Sequence, residues 1–253
     1  MTTTLTLIGG PTALIDFEGL VVLTDPTFDA PGEYPIPGGV LVKQSGPAMS
    51  MDALPRVDLI TLSHAHHPDN LDAAGMRVVE SASLVVGAPF ALDQVGHLTA
   101  LDTWETTTVQ VNGEEFVVTA VPARHGPEGC EEITGIVSGF VITAPSGTNL
   151  YISGDNAALE LVSEIAARFE HIDIAVLFTG AARVGLFDNA PLTLTAEMAA
   201  EAAQILTPSV VFPVHSEGWA HFSEDRALLN AAFAAAGNAN ILALVGPGES
   251  VRV

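Results

Sequence analysis

The stretch Val57-Asp58-Leu59-Ile60-Thr61-Leu62-Ser63-His64-Ala65-His66-His67-Pro68-Asp69-Asn70 decides how this chain is read. Val57–Leu62 has the composition of a short buried strand. It runs directly into three histidines within four residues, followed by an aspartate. A lone histidine there would be an exposed loop residue. Three of them, set straight after an apolar strand, favour a metal site.

The same arrangement recurs along the chain. His125 follows the predicted strand Glu115–Val121, His215 follows Val210–Val214, and Asp155 follows Leu150–Ser153. Strand ends hold side chains on a rigid frame while the loops beyond leave them reachable. Packing does not need four strands that each end in an imidazole or a carboxylate. Neutral imidazole and carboxylate are ligands for Zn, Fe or Mn. An ion held by three or four of them keeps an open position, where water ionises near neutral pH and attacks an electrophile. A pair of ions needs a shared carboxylate, and Asp155 is the candidate. Plainer roles compete at each position. Asp69 and Asp155 each precede a predicted helix and would serve as N-caps; taken with the histidines, ligation is favoured for both. His125 would fit a turn and His215 a core. His97 and His171 lie near helix ends and are assigned no chemistry. Asp25 is expected to brace loops by hydrogen bonding.

Outward from these motifs the chain alternates strands and helices. Leu5–Leu7, Thr12–Phe17 and Leu20–Thr24 form an antiparallel meander divided by Gly9-Gly10-Pro11 and Glu18-Gly19. Ala30–Gly39, rich in Pro and Gly, is expected to be a loop. A helix is predicted near Asp69–Gly75, a strand over Leu84–Val86 and a short helix over Phe90–Gly96. Thr106–Val111 and Glu115–Val121 form a hairpin around Asn112-Gly113. Ile133–Thr143, Leu150–Ser153, Ile172–Phe178, Val210–Val214 and Ile241–Leu244 read as strands. Asn156–Phe169, Thr195–Leu206 and Ser223–Ala236 read as helices. No linker interrupts 1–253, so one domain is expected, with two sheets between outer helices.

Composition excludes several classes. The 48% hydrophobic and 15% charged residues make a globular chain. No apolar run reaches the roughly 18 residues that span a bilayer. The opening Met1-Thr2-Thr3-Thr4-Leu5 reads as the start of a strand and not as a signal peptide. Thirty acids against eight bases give a formal charge of −22, a field that repels nucleic acid. Cys130 is the sole cysteine, which rules out an intrachain disulfide and a cysteine-rich zinc site; a structural role is expected for it, in the cytoplasm. There is no Gly-x-Ser-x-Gly elbow, phosphate loop or dinucleotide fingerprint. The apolar fraction permits a homo-oligomer.

The motif order Gly9-Gly10-x-Thr12, Asp25-Pro26, Ser63-His64-x-x-His67-x-Asp69-Asn70-x-Asp72, His125, Ser153-Gly154-Asp155 and Pro213-x-His215 resembles the metallo-β-lactamase superfamily. Within it the chain is most similar to the ascorbate-6-phosphate lactonase-like branch. An actinobacterial subset of metal-dependent hydrolases is more similar still, through Asp69-Asn70-Leu71-Asp72 and His215-Ser216-Glu217-Gly218-Trp219-Ala220-His221-Phe222-Ser223. The likeness runs from Leu5 to Pro247. It implies an α+β fold, a four-layer αβ/βα sandwich. The superfamily's His-x-His-x-Asp-His motif fits here only with one inserted residue. His64 and His67 are therefore favoured as ligands, and His66 is a close rival. Asn70 stands where the family has a histidine, and an amide oxygen is a poorer ligand.

The resemblance implies one ion on His64, His67 or His66, His125 and Asp155. It implies another on Asp69, Asp155 and His215, with Asn70 weak or absent. Asp69 and His215 are the expected catalytic residues, Asp69 as the base that orients water. Glu217 and His221 are expected to line the pocket, and Trp219 and Phe222 to pack. The expected cofactor is Zn, as one or two ions, with Mn or Fe as alternatives. The expected activity is hydrolysis of an ester, lactone or amide of a small molecule by a metal-bound hydroxide. A phosphodiesterase on the same fold and a non-catalytic binding protein with a decayed site are the alternatives. Specificity is assigned to the loops Ala30–Gly39, Pro127–Glu132 and Ala181–Pro191.

Overall fold

The turns dictate the first sheet. In the computed structural model, which describes residues 2–253 and so leaves Met1 of the opening stretch aside, β1 (Thr3–Gly9), β2 (Thr12–Phe17) and β3 (Leu20–Thr24) pair as an antiparallel meander. The chain next makes an antiparallel ribbon of β4 (Gly32–Ile36) and β5 (Gly39–Lys43). This corrects the expectation of a loop over Ala30–Gly39. Gly38, at φ 84, closes the turn, and Pro35 is tolerated because a two-stranded ribbon is all edge.

β6 (Leu59–Leu62) lies parallel to β3. It is buried throughout, as strands covered on both faces are. α1 (Ala73–Ser81) starts later than predicted, because its N-cap is Asp72 and not Asp69; the Asp72 carboxylate accepts from Gly75 N. β7 (Val85–Gly87) and β8 (Thr99–Ala100) follow, separated by a 3-10 turn at Pro89–Asp93 in place of the expected helix.

β9 (Thr106–Val111) and β10 (Glu114–Pro122) form the predicted hairpin, with Asn112 and Gly113 both at positive φ. The strand expected over Ile133–Thr143 is shorter. Residues Glu131–Thr134 make one helical turn, α2, which Gly135 ends at φ 76, and β11 (Ser138–Thr143) begins beyond it. β12 (Asn149–Ile152), α3 (Leu159–Arg168), β13 (Ile174–Phe178), α4 (Ala196–Leu206), β14 (Val210–Val214) and α5 (Arg226–Ala235) complete the second half. Ile241–Leu244 is not a closing strand. It follows a 3-10 turn at Ala239–Ile241 and makes a single parallel bridge to β14, Leu242 beside Val211, with Ala243 N donating to Val211 O at 2.8 Å. The closing strand is β15 (Ser250–Arg252), on the outer edge of β1.

The first sheet runs β15-β1-β2-β3-β6-β7-β8 and the second β14-β13-β12-β11-β10-β9. Their inner faces form one apolar core, in which the Phe17 and Phe116 rings meet at 6.2 Å. α1 covers the outside of the first sheet through Val78 and Val79. α3, α4 and α5 cover the second through Val162, Ile165, Leu206, Leu229 and Phe233. The order of layers is thus α, β, β, α. Ser138 N donates to Ser63 O at 3.1 Å and ties the sheets together at the edge where β6, β10, β12 and β14 end. Among the described residues no helix is long and apolar enough to cross a membrane.

Candidate metal centre

The first cluster grows out of β6. Asp25, at the end of β3, accepts from Ser63 N and from Ser63 Oγ, both at 2.7 Å, and that hydroxyl lies 2.9 Å from His64 Nδ1. This chain fixes the His64 ring and leaves its Nε2 2.9 Å from His67 Nδ1. His125, beyond β10, donates from Nδ1 to Leu192 O at 2.9 Å, which leaves Nε2 free as an acceptor. Nitrogens of His64, His67 and His125 lie within 4.8 Å of one another. His66 is set apart: it donates from Nε2 to Thr134 O at 2.7 Å, and its ring packs edge-on against Phe90.

The second cluster adjoins it. Asp69 Oδ2 lies 3.0 Å from His221 Nε2 and 3.5 Å from His215 Nε2. Asp155 stands between the clusters, with Oδ2 3.4 Å from His125 and Oδ1 3.7 Å from His215. The Asn70 amide nitrogen donates to Asp155 Oδ1 at 2.9 Å and to Asp25 Oδ2 at 3.1 Å. His64, Asp155 and His215 are sealed from solvent. Gly154, at φ 56, is the residue the turn after β12 demands, since a Cβ there would lie 2.5 Å from Ser138 O and 2.9 Å from Ser63 Cβ.

Electrostatics favour a cation. Burial, then the neighbouring imidazoles, hold His64 well below the usual histidine range, and the same causes push His67 down to about 3. Both rings are neutral and offer lone pairs. Burial also disfavours a charge on His215, but Asp155 and Asp69 outweigh it and raise its pKa. None of the ion pairs among the described residues joins Asp69 or Asp155 to a lysine or arginine. Asp69 Oδ1, Asn70 Oδ1, Asp155 Oδ2 and both His215 nitrogens are buried without a hydrogen-bond partner. Orphaned polar atoms on this scale are costly unless something binds them. The set of imidazoles and carboxylates fits one or two divalent first-row ions.

His66, His67, Asp69, His125 and His221 form the floor of a cavity of about 230 Å³, walled by Ile36, Leu41, Ile133, Val184, Leu186 and Leu192. The first and third loops expected to set specificity supply Ile36, Val184 and Leu186; Ile133 comes from just beyond the second. Leu41 and the buried Lys43 were not singled out from sequence, because they sit on β5. His221 lines the cavity, but Glu217 does not: it accepts from Gly10 N at 2.8 Å and fastens the turn after β1. Trp219 is buried against Tyr34, and Phe222 packs on His215. The Cys130 thiol is buried and receives the Thr134 hydroxyl at 3.2 Å.

Comparison with known proteins identifies the family. The profile of the beta-lactamase superfamily domain matches residues 21–216. A UPF0173 metal-dependent hydrolase of Pelotomaculum thermopropionicum is 30% identical over 207 residues, covering 78% of this chain and 83% of its own. Among solved structures, a possible metal-dependent hydrolase from Veillonella parvula superposes with a TM-score of 0.82 at 17% identity over 99% of both chains. The isothiocyanate hydrolase from Delia radicum gut bacteria gives 0.80 at 19% identity over 98% of both. The chain belongs to the beta-lactamase superfamily, among its metal-dependent hydrolases.

Proposed function

We propose that this enzyme hydrolyses a small, uncharged ester, lactone or amide bearing an apolar group, as a single-domain cytoplasmic protein that uses zinc. One observation carries the reading: a floor of histidines and an aspartate under apolar walls, with no lysine or arginine among the lining residues. A phosphorylated substrate would approach Asp69 in a cavity that no cationic side chain lines, Arg183 lying on the adjoining groove, which weighs against a phosphodiesterase. A decayed binding site would leave the orphaned polar atoms buried with no compensation. Imidazole with carboxylate suits Zn, and also Fe and Mn.

His64, His67 and His125 would hold one ion, and Asp155, placed between the clusters, would be shared with a second. When bound, the ion supplies Lewis-acid polarisation and a water nucleophile at neutral pH. Asp69 orients the attacking water and takes its proton on Oδ1, the oxygen left without a partner. His215 faces both carboxylates and keeps them in register. Asn70 acts here through Asp155, by donating to its Oδ1. The apolar walls hold the remainder of the substrate and exclude water.

The test is a panel on zinc-loaded protein: p-nitrophenyl butyrate, a medium-chain lactone, an aryl amide and bis-p-nitrophenyl phosphate. Benzyl isothiocyanate is added because one structural neighbour is named for isothiocyanate hydrolysis. Turnover of a neutral carbonyl substrate in preference to the phosphodiester is expected. The reverse preference, or no turnover at all, overturns the reading.

A further inference from the structure

The position next to Asp69 in sequence is Asn70, whose amide nitrogen is committed to Asp155 and Asp25. It offers no imidazole to the second cluster. The turn beyond β14 supplies one from elsewhere. It folds back so that Ala220 N donates to Val42 O and Arg183 N donates to His221 O, both at 2.9 Å. His221 is thereby pinned between two segments, with a side chain only 9% exposed. The Phe222 ring lies 4.5 Å from that of His215 and 4.6 Å from that of His221, which holds both imidazoles.

We propose that His221 is a ligand of the second divalent ion, completing with Asp69 and His215 a site that Asn70 leaves short of an imidazole. Both separations from Asp69 suit a shared ion. Two donors bound tetrahedrally at zinc distances lie about 3.3 Å apart; here Asp69 Oδ2 is 3.0 Å from His221 Nε2 and 3.5 Å from His215 Nε2. Both nitrogens of His215 are buried without a hydrogen-bond partner. A plain hydrogen-bonding role for His221 would satisfy one oxygen of Asp69 and leave His215 unserved.

The inference rests on the metal-dependent reading above. Apoprotein is titrated with Co(II), followed by visible absorption and by metal per chain from elemental mass spectrometry, for the natural protein, His221→Ala and His221→Gln. The natural protein is expected to take two ions. Both variants are expected to keep the first and to bind the second at least about 100-fold more weakly. Glutamine keeps an N–H for Asp69 but not the imidazole, so it separates ligation from positioning. If His221→Gln holds the second ion within threefold of the natural protein, or if the natural protein takes one ion only, the inference is overturned. If the natural protein takes none, the metal-dependent reading falls with it.

Discussion

Asp155 is the residue on which both clusters depend. Its two oxygens face His125 on one side and Asn70 and His215 on the other. Asp155→Ala is expected to lose metal and activity while far-UV circular dichroism stays native; full metal content in that variant would contradict the shared-ligand role. Gly154 beside it has a purely steric duty. Gly154→Ala forces a side chain onto φ 56 and against Ser138 O, and is expected to destabilise by at least about 2 kcal/mol in urea unfolding. His171 makes a contrast. Its ring is half-exposed beside Asp173, so His171→Ala is expected to change stability by less than about 0.5 kcal/mol and metal content not at all. The motif favours His67 as a ligand and keeps His66 as a close rival. Thr134 O takes the His66 ring from 68 positions away in sequence, and no local spacing encodes that. His221 was visible in sequence as a pocket residue, but its approach to Asp69 spans 152 positions.

At the level of elements, the β4–β5 ribbon is anchored through Lys43. Its ammonium pairs with Asp72 at 3.0 Å, both side chains are buried, and it lies over the Trp219 ring. Asp72 also accepts from Phe28 N, Asp29 N and Gly75 N, so one carboxylate fastens the chain after β3, the ribbon and the start of α1. Lys43→Ala leaves that carboxylate buried without its cation. It is expected to cost about 3–5 kcal/mol in chemical denaturation. Elements with a strong local signal were legible: the meander through its glycine turns, the β9–β10 hairpin through Asn112-Gly113, and α4 through the capping Thr195. Two others were not. The ribbon was hidden by the Pro and Gly that normally mark loops. β15 has three residues and no apolar alternation of its own, and it exists because β1 offers it a free edge.

Over the whole molecule, the buried carboxylates and the formal charge of −22 are expected to make bound cations part of the stability of the fold. Chelation leaves Asp69 and Asp155 facing each other's surroundings uncompensated, whereas an ion at a thousand times its Kd adds about 4 kcal/mol. For a chain of this size that corresponds to roughly 10 °C in Tm. Calorimetry before and after treatment with EDTA measures it, and an unchanged Tm on full metal removal would contradict the assignment. The layer order and the strand-end location of the centre were readable at this scale because alternating strands and helices admit few arrangements. The depth and lining of the cavity were not, since its walls come from loops far apart in sequence. The proposed donors are divided by origin: His64, His67 and Asp69 extend from the first sheet, while His125, Asp155, His215 and His221 extend from the second. Neither half carries a complete set. An ion bound there works as a rivet across the seam, and its retention reports that the two halves have docked. Amide exchange at Ser138, whose N–H bridges the sheets to Ser63, should quicken when the rivet is drawn.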